Sequence, residues 1–101
     1  MGNEFRAARR AAALGPPSPH VLVTEIDGDL ALYDAERNEV HVLNVSAGDI
    51  WRLLDGERDL DEIVALIAEA YSAHPDDVRP DVAAAVATFV DRGLLPAGRG
   101  G

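Results

Sequence analysis

Between Glu39 and Gly56 the chain reads EVHVLNVSAGDIWRLLDG, a change of hydrophobic period with no linker between the two halves. Val40 and Val42 alternate with other residues at period two, as a strand requires. Ile50, Leu53 and Leu54, flanked by Trp51, recur at helical spacing. A strand that feeds straight into a helix shares a core with it, so sheet and helices form one α+β layer pair. The junction carries helix signals of its own. Ser46 fits an N-cap with Asp49 three residues on, Val45 and Ile50 occupy the staple positions, and Gly56 fits the residue just past the helix end.

The segments on either side complete the pattern. VLVTEI from Val21, LALYDA from Leu30 and VHVLN from Val40 are three short strand-like runs. Asp27-Gly28 suits a tight hairpin turn, and Asn38 tolerates positive φ in the second connection. Short turns between short strands predict an antiparallel meander. A second helix opens at Asp59, with Glu62 in the capping-box position. Its apolar stripe is Leu60, Ile63, Val64, Ile67, Ala70 and Tyr71. A third helix starts at Asp76 or Asp77, with Pro80 in its first turn, and carries Val78, Val82, Ala85, Val86 and Phe89 on one face. Gly93 ends it, and Leu94-Leu95 is expected to pack back on the core. The order is β-β-β-α-α-α, an arrangement like a winged helix-turn-helix: a three-stranded antiparallel sheet followed by three helices. Residues 1–20 read as a flexible arm ending in GPPSP, with a helix over Glu4 to Leu14 as one option. Residues 21–95 read as the folded domain and 96–101 as a disordered tail.

At 101 residues the chain holds one domain with a modest core. It has no cysteine, so neither a disulfide nor a thiolate metal site is available, which fits a reducing, cytoplasmic setting. No apolar run approaches the ~20 residues of a membrane helix. Met1-Gly2 resembles a myristoylation start, but the sixth residue is Arg6 where Ser or Thr belongs. Charge is unevenly placed. The first twenty residues hold three Arg and one Glu, whereas Val21 to Leu95 holds five Arg against seventeen acidic residues. So acidic a folded part repels phosphate backbones and favours a basic or apolar peptide.

No group of residues assembles into a catalytic or metal site. His20, His41 and His74 lack ligand spacing. Asp59, Asp61, Glu62, Asp76 and Asp77 all fall at helix starts, where carboxylates cap orphan N–H groups. Ser18, Ser46 and Ser72 have no nucleophile-elbow context. A DNA-reading winged helix would offer Arg, Lys, Asn or Gln along its third helix. Here that helix offers Ala, Asp and Thr, with Arg79 and Arg92 near opposite ends. Ala83, Ala84, Ala85 and Ala87 instead leave room for something to lie against it. A DNA-binding regulator and a general interaction scaffold remain the alternative readings.

Several runs taken together resemble the PqqD family of peptide-binding proteins: LYD at Leu32 to Asp34, LN at Leu43-Asn44, IWRLLDG at Ile50 to Gly56, DLDEI from Asp59, and the closing DV, FV and GLL from Asp81 onward. The resemblance spans roughly Leu30 to Leu95. It implies a RiPP recognition element, a non-catalytic domain that binds the leader of a ribosomally made precursor peptide. Such a domain takes the leader as an added strand and presents it to a separate maturation enzyme, such as a radical-SAM protein or a leader peptidase. The strand edge implied is Val40, His41, Val42 and Leu43. The facing wall is Val82, Ala85, Val86 and Phe89, with Asp81 and Arg92 as polar ends. No cofactor, metal, nucleic acid or membrane partner is implied, and the chain is expected as a monomer or weak homodimer.

Overall fold

The computed structural model describes residues 13–96. Three strands, β1 (Val21–Ile26), β2 (Asp29–Asp34) and β3 (Glu39–Leu43), form an antiparallel sheet in the order β1-β2-β3. Three helices follow, α1 (Val45–Arg52), α2 (Leu60–Ala70) and α3 (Pro75–Asp91). The α+β order read from the sequence is the one observed. Most of the optional N-terminal helix, and the tail beyond Pro96, fall outside the described residues.

Register decides which way each strand residue faces. Leu30, Leu32 and Leu43 are buried in the common core with Ile50, Ile63 and Phe89. Leu30 pairs with Leu43, and Leu32 pairs with His41. His41 and Leu43 therefore point toward the helices, and Val40 and Val42 point away from them. Each fully buried Leu or Ile contributes roughly 1.5–3 kcal/mol relative to its exposed state. Trp51 meets Phe89 edge-on, with centroids 5.2 Å apart at 84°, which locks α1 against α3.

The helix ends are built differently from the sequence expectation. Asn44, not Ser46, caps α1: its Oδ1 accepts from the Ala47 N–H at 2.9 Å, and the Ser46 hydroxyl donates to the same oxygen. A single residue, Asn44, separates the end of the strand from the start of the helix, so the cap must come from it. Val45 is then a first-turn residue and is exposed rather than stapled. Gly56 is not the stop of α1, whose C-cap is Leu53. Its φ is +84°, and a Cβ there would lie 2.7 Å from Pro16 Cδ. The glycine thus serves the approach of the segment before β1. In that segment Leu14 exchanges backbone bonds with Gly56 and Arg58, and the Ser18 N–H donates to the Leu94 carbonyl at 3.0 Å.

Asp59 and Glu62 form the expected capping box of α2. Ala68 is buried in place of Ala70, and Tyr71 is exposed just past the helix end. His74 caps α3 through Nδ1, which accepts from the Asp76 N–H at 3.1 Å, so the helix starts at Pro75, ahead of Asp76. Pro80 consequently lies inside the helix, beyond its first turn. At the far end the Leu94 N–H reaches the Phe89 carbonyl and the Gly93 N–H reaches that of Val90, a Schellman stop. Leu94 and Leu95 fold back into the core as expected.

The β2–β3 turn hangs on Asp34, whose side chain is fully buried. Its Oδ1 accepts from the Glu36 and Arg37 N–H groups at 2.9 and 3.0 Å. Burial alone pushes this carboxyl's pKa up. The N–H groups of Arg37 and Glu36, with His20 and Arg37 close by, outweigh burial and hold it below the usual carboxylate value. A depressed folded-state value means that Asp34 stabilises fully above the unfolded pKa, near ~3.9. That contribution fades as pH falls through the lower folded value. Asp34→Asn is therefore expected to lower the melting temperature at pH 6, with the gap from wild type closing toward pH 2. Circular dichroism melts across that range check it, and a gap independent of pH would contradict it.

Candidate functional site: the open edge of β3 and the cleft beside it

The β1–β2 turn fixes the direction of every backbone group in the sheet. Asp27 and Gly28 both have positive φ, 51° and 90°, the signature of a two-residue type I′ hairpin. Such a turn is closed by a hydrogen-bonded pair, here Ile26 and Asp29. Alternation then aims the backbone groups of Asp29, Ala31 and Tyr33 at β1 and those of Leu30, Leu32 and Asp34 at β3. The Ala35 N–H, next in the first series, does bond back to the His20 carbonyl at 3.0 Å. Opposite Leu30, Leu32 and Asp34 stand Leu43, His41 and Glu39. These three residues spend their backbone groups on β2. Val40 and Val42 therefore hold their N–H and C=O groups out at an edge that no other described strand covers, ready to pair with another strand.

β3 and α3 leave a cleft between them. A cavity of about 230 Å³ is walled by Leu43 on one side and by Ala84, Thr88 and Phe89 on the other. A second, of about 410 Å³, continues from it past Ile50, Ile67 and Val82 to a polar rim of Asn44, Ser46 and Tyr71. Ala47 and Ala85 line both, so the two form one trough. The alanines make the trough: a larger side chain at Ala47 or Ala85 would close it.

The trough is polar at its ends and apolar between them. Arg92 lines one end, and there the Arg37 guanidinium donates to the Arg92 carbonyl at 2.7 Å, tying the β2–β3 turn to the end of α3. Asp81 lines the other end. Beside it the Tyr71 hydroxyl donates to the Asp49 carboxylate, a bond that pushes the Tyr71 pKa up, with smaller contributions from burial and from the Asp49 charge. His41 turns inward next to Leu43. Its Nε2 is buried without a hydrogen-bond partner, 3.7 Å from Glu39 Oε1.

The residues named from the sequence separate into groups. Leu43, Val82, Ala85, Phe89, Asp81 and Arg92 all line the trough. Val86 packs half-buried against the core and lines neither cavity. Val40 and Val42 belong to the site through their backbone, because their side chains lie on the opposite face of the sheet. Of the four alanines expected to leave room, Ala84 and Ala85 face the trough and Ala83 and Ala87 do not. Sequence reasoning missed Asn44, Ser46, Ala47 and Tyr71, which reach the trough only because the first turn of α1 and the end of α2 meet there. Among the described residues no cluster of His, Asp and Glu is disposed to hold a metal. Asp59, Asp76 and Asp77 sit in helix first turns or caps, as their spacing implied.

The other free edge, β1, is less open. The Val21 N–H is taken by the Ser18 carbonyl. An ion pair between Glu25 and Arg52, 3.4 Å, reaches from β1 to α1, and both residues line the groove on that side.

A search of curated protein sequences found no match. Among solved structures, one described as "TbiB1 in Complex with the TbiA(beta) Leader Peptide" superposes with a TM-score of 0.74 at 24% identity, over 82% of this chain and 96% of that one. Another, "Lasso peptide synthetase B1 complexed with the leader peptide", gives 0.71 at 25% identity, over 81% and 96%. The family model for coenzyme PQQ synthesis protein D (PqqD) matches residues 29–95, from β2 to the end of the fold. With well over half of its length matched, the chain belongs to the PqqD family.

Proposed function

We propose that this protein binds the leader segment of a ribosomally synthesised precursor peptide and presents it to a separate maturation enzyme. The leader adds as a fourth strand on β3, its backbone pairing with Val40 and Val42. Its inward side chains fill the trough between Leu43 and α3. The observation that carries this reading is the coincidence of an unpaired strand edge with an alanine-lined trough directly beside it. Main-chain bonds give affinity in such a mode, and the pockets under alternate side chains give specificity. The two solved relatives above are complexes with leader peptides, which supports the reading. The site residues are Val40, His41, Val42 and Leu43 on the strand and Asp81, Val82, Ala85, Phe89 and Arg92 on the helix.

The chain acts without catalysis, cofactor or nucleic acid, as a monomer or weak homodimer in the cytoplasm. Its enzyme partner is a radical-SAM protein or a leader peptidase. No helix among the described residues is long and apolar enough to cross a membrane. The acidic balance of the domain favours a leader with basic or apolar character at the Asp81 end and an acidic residue near Arg92.

The test is titration of fluorescein-labelled leader peptides, drawn from short precursor genes sought near the gene for this protein, with anisotropy as the readout. Saturable binding that a scrambled leader does not compete away is expected. Absence of binding, together with tight sequence-selective retardation of duplex DNA at low salt, would overturn the reading in favour of a DNA regulator.

A further inference from the structure

Among the described residues the face of the sheet turned away from the helices is apolar and largely exposed, with Ala31 buried at its centre and Tyr33 half-buried. Register places Leu22, Tyr33 and Val40 in one row across it and Thr24, Ala31 and Val42 in the next, with Ile26 beyond. Leu22, Ile26, Val40 and Val42 are 59%, 54%, 64% and 67% exposed. No described helix packs on this side. The chain as a whole carries a net charge of −9, yet the two rows contain no charged residue. Acids stand at one rim, Asp27 and Asp29 at the β1–β2 turn, whereas the Glu36 carboxylate at the other turn lies 3.4 Å from the His20 ring. Monomeric proteins rarely leave such a patch bare. An uncharged apolar centre with a charged margin is the make-up of a protein–protein interface.

The patch is continuous with the peptide edge, because the same two residues supply both. Val40 and Val42 offer backbone groups to the leader and side chains to the outer face. A leader strand lying about 4.8 Å beyond β3 would set its own outward side chains beside them and widen the face by one strand. Its inward side chains are hidden in the trough. The outer face is therefore where a protein can touch the carrier and its bound peptide together.

We propose that the maturation enzyme docks on this outer face and reads a composite surface of β1, β2, β3 and leader. The proposal rests on the peptide-binding reading above. The complementary enzyme surface has an uncharged apolar centre and a basic group at the margin that meets Asp27 and Asp29. Enzyme affinity consequently rises when the carrier is loaded, and empty carriers do not occupy the enzyme.

The test uses Leu22→Thr/Ile26→Thr. Both positions lie on β1, two strands and about 10 Å from the peptide edge. Threonine keeps the β-branched shape a strand favours. Two affinities are measured: the labelled leader by anisotropy, and a maturation enzyme that acts on the precursor carrying that leader by surface plasmon resonance, with and without leader. The expected result is leader affinity within twofold of wild type, enzyme affinity at least tenfold weaker, and wild-type enzyme affinity higher with leader than without. Enzyme binding unchanged in the double variant overturns the proposal and leaves the peptide reading standing. Sedimentation covers the rival occupant. A wild-type dimer that the substitutions dissolve, with enzyme binding unaltered, assigns the face to a second copy instead. Failure of wild type to bind leader overturns the peptide reading, and the docking proposal with it.

Discussion

Val42→Pro is expected to weaken leader binding at least ~10-fold, equivalent to ~1.4 kcal/mol, while the domain stays folded. Proline removes one N–H and fixes φ. At Val42 the lost N–H is one that points to the open edge, so no bond to β2 is broken. Proline is tolerated in a strand at such a solvent-facing edge position. The paired control is His41→Pro, one residue earlier. Its N–H is spent on β2 opposite Leu32, so that change breaks the sheet and lowers the melting temperature. Anisotropy with labelled leader and thermal melts by circular dichroism separate the two outcomes. Equal loss of stability in both variants would show that the direction assigned to the backbone groups is wrong.

Ala85→Phe is expected to reduce leader affinity further, by roughly 30-fold or more (~2 kcal/mol). Ala85 lines both parts of the trough, so a phenyl ring there occupies the space meant for an inward side chain of the peptide. The position opens onto the trough and is only half-buried. The ring therefore has room without displacing core neighbours, and the melting temperature should hold within a few degrees. Ala87→Phe is the control. It is exposed, on the same helix, and lines neither cavity, so binding should be unchanged. Equal loss in both variants would indicate that bulk anywhere on α3 interferes. Retention of binding in Ala85→Phe would remove the peptide from the trough.

The element order, the turns and most of the core could be read from residue pattern, because period and punctuation are local signals. Asp27-Gly28 reports a hairpin, Asp59 and Glu62 report a helix start, and Gly93 a helix end, wherever they occur. What could not be read is what depends on the meeting of distant segments. Ser46 looked like the cap of α1 until the strand was seen to end at Leu43, leaving only Asn44 to serve. Gly56 looked like a helix stop, but its neighbour is Pro16, forty residues earlier in the chain. The side to which Val40 and Val42 turn is set by the register of β3 on β2, and alternation alone leaves both choices open. That choice moved the two valine side chains out of the trough and put their backbone groups at its edge. The choice of Val82, Ala85 and Phe89 as wall residues came from family resemblance, whereas the place of Ala47 and Tyr71 on the trough depends on how α1 and α2 pack against α3.

Amide hydrogen exchange, followed residue by residue by NMR before and after leader is added, tests the central claim most directly. An amide already paired inside the sheet exchanges slowly in the free protein, and one at an open edge exchanges fast. The expected result is that Val40 and Val42 exchange fast alone and become strongly protected with leader. His41 and Leu43 should be protected throughout. Protection that appears instead at Val23 and Glu25 on β1, or leaves Val40 and Val42 fast in a saturated complex, would contradict strand addition at β3.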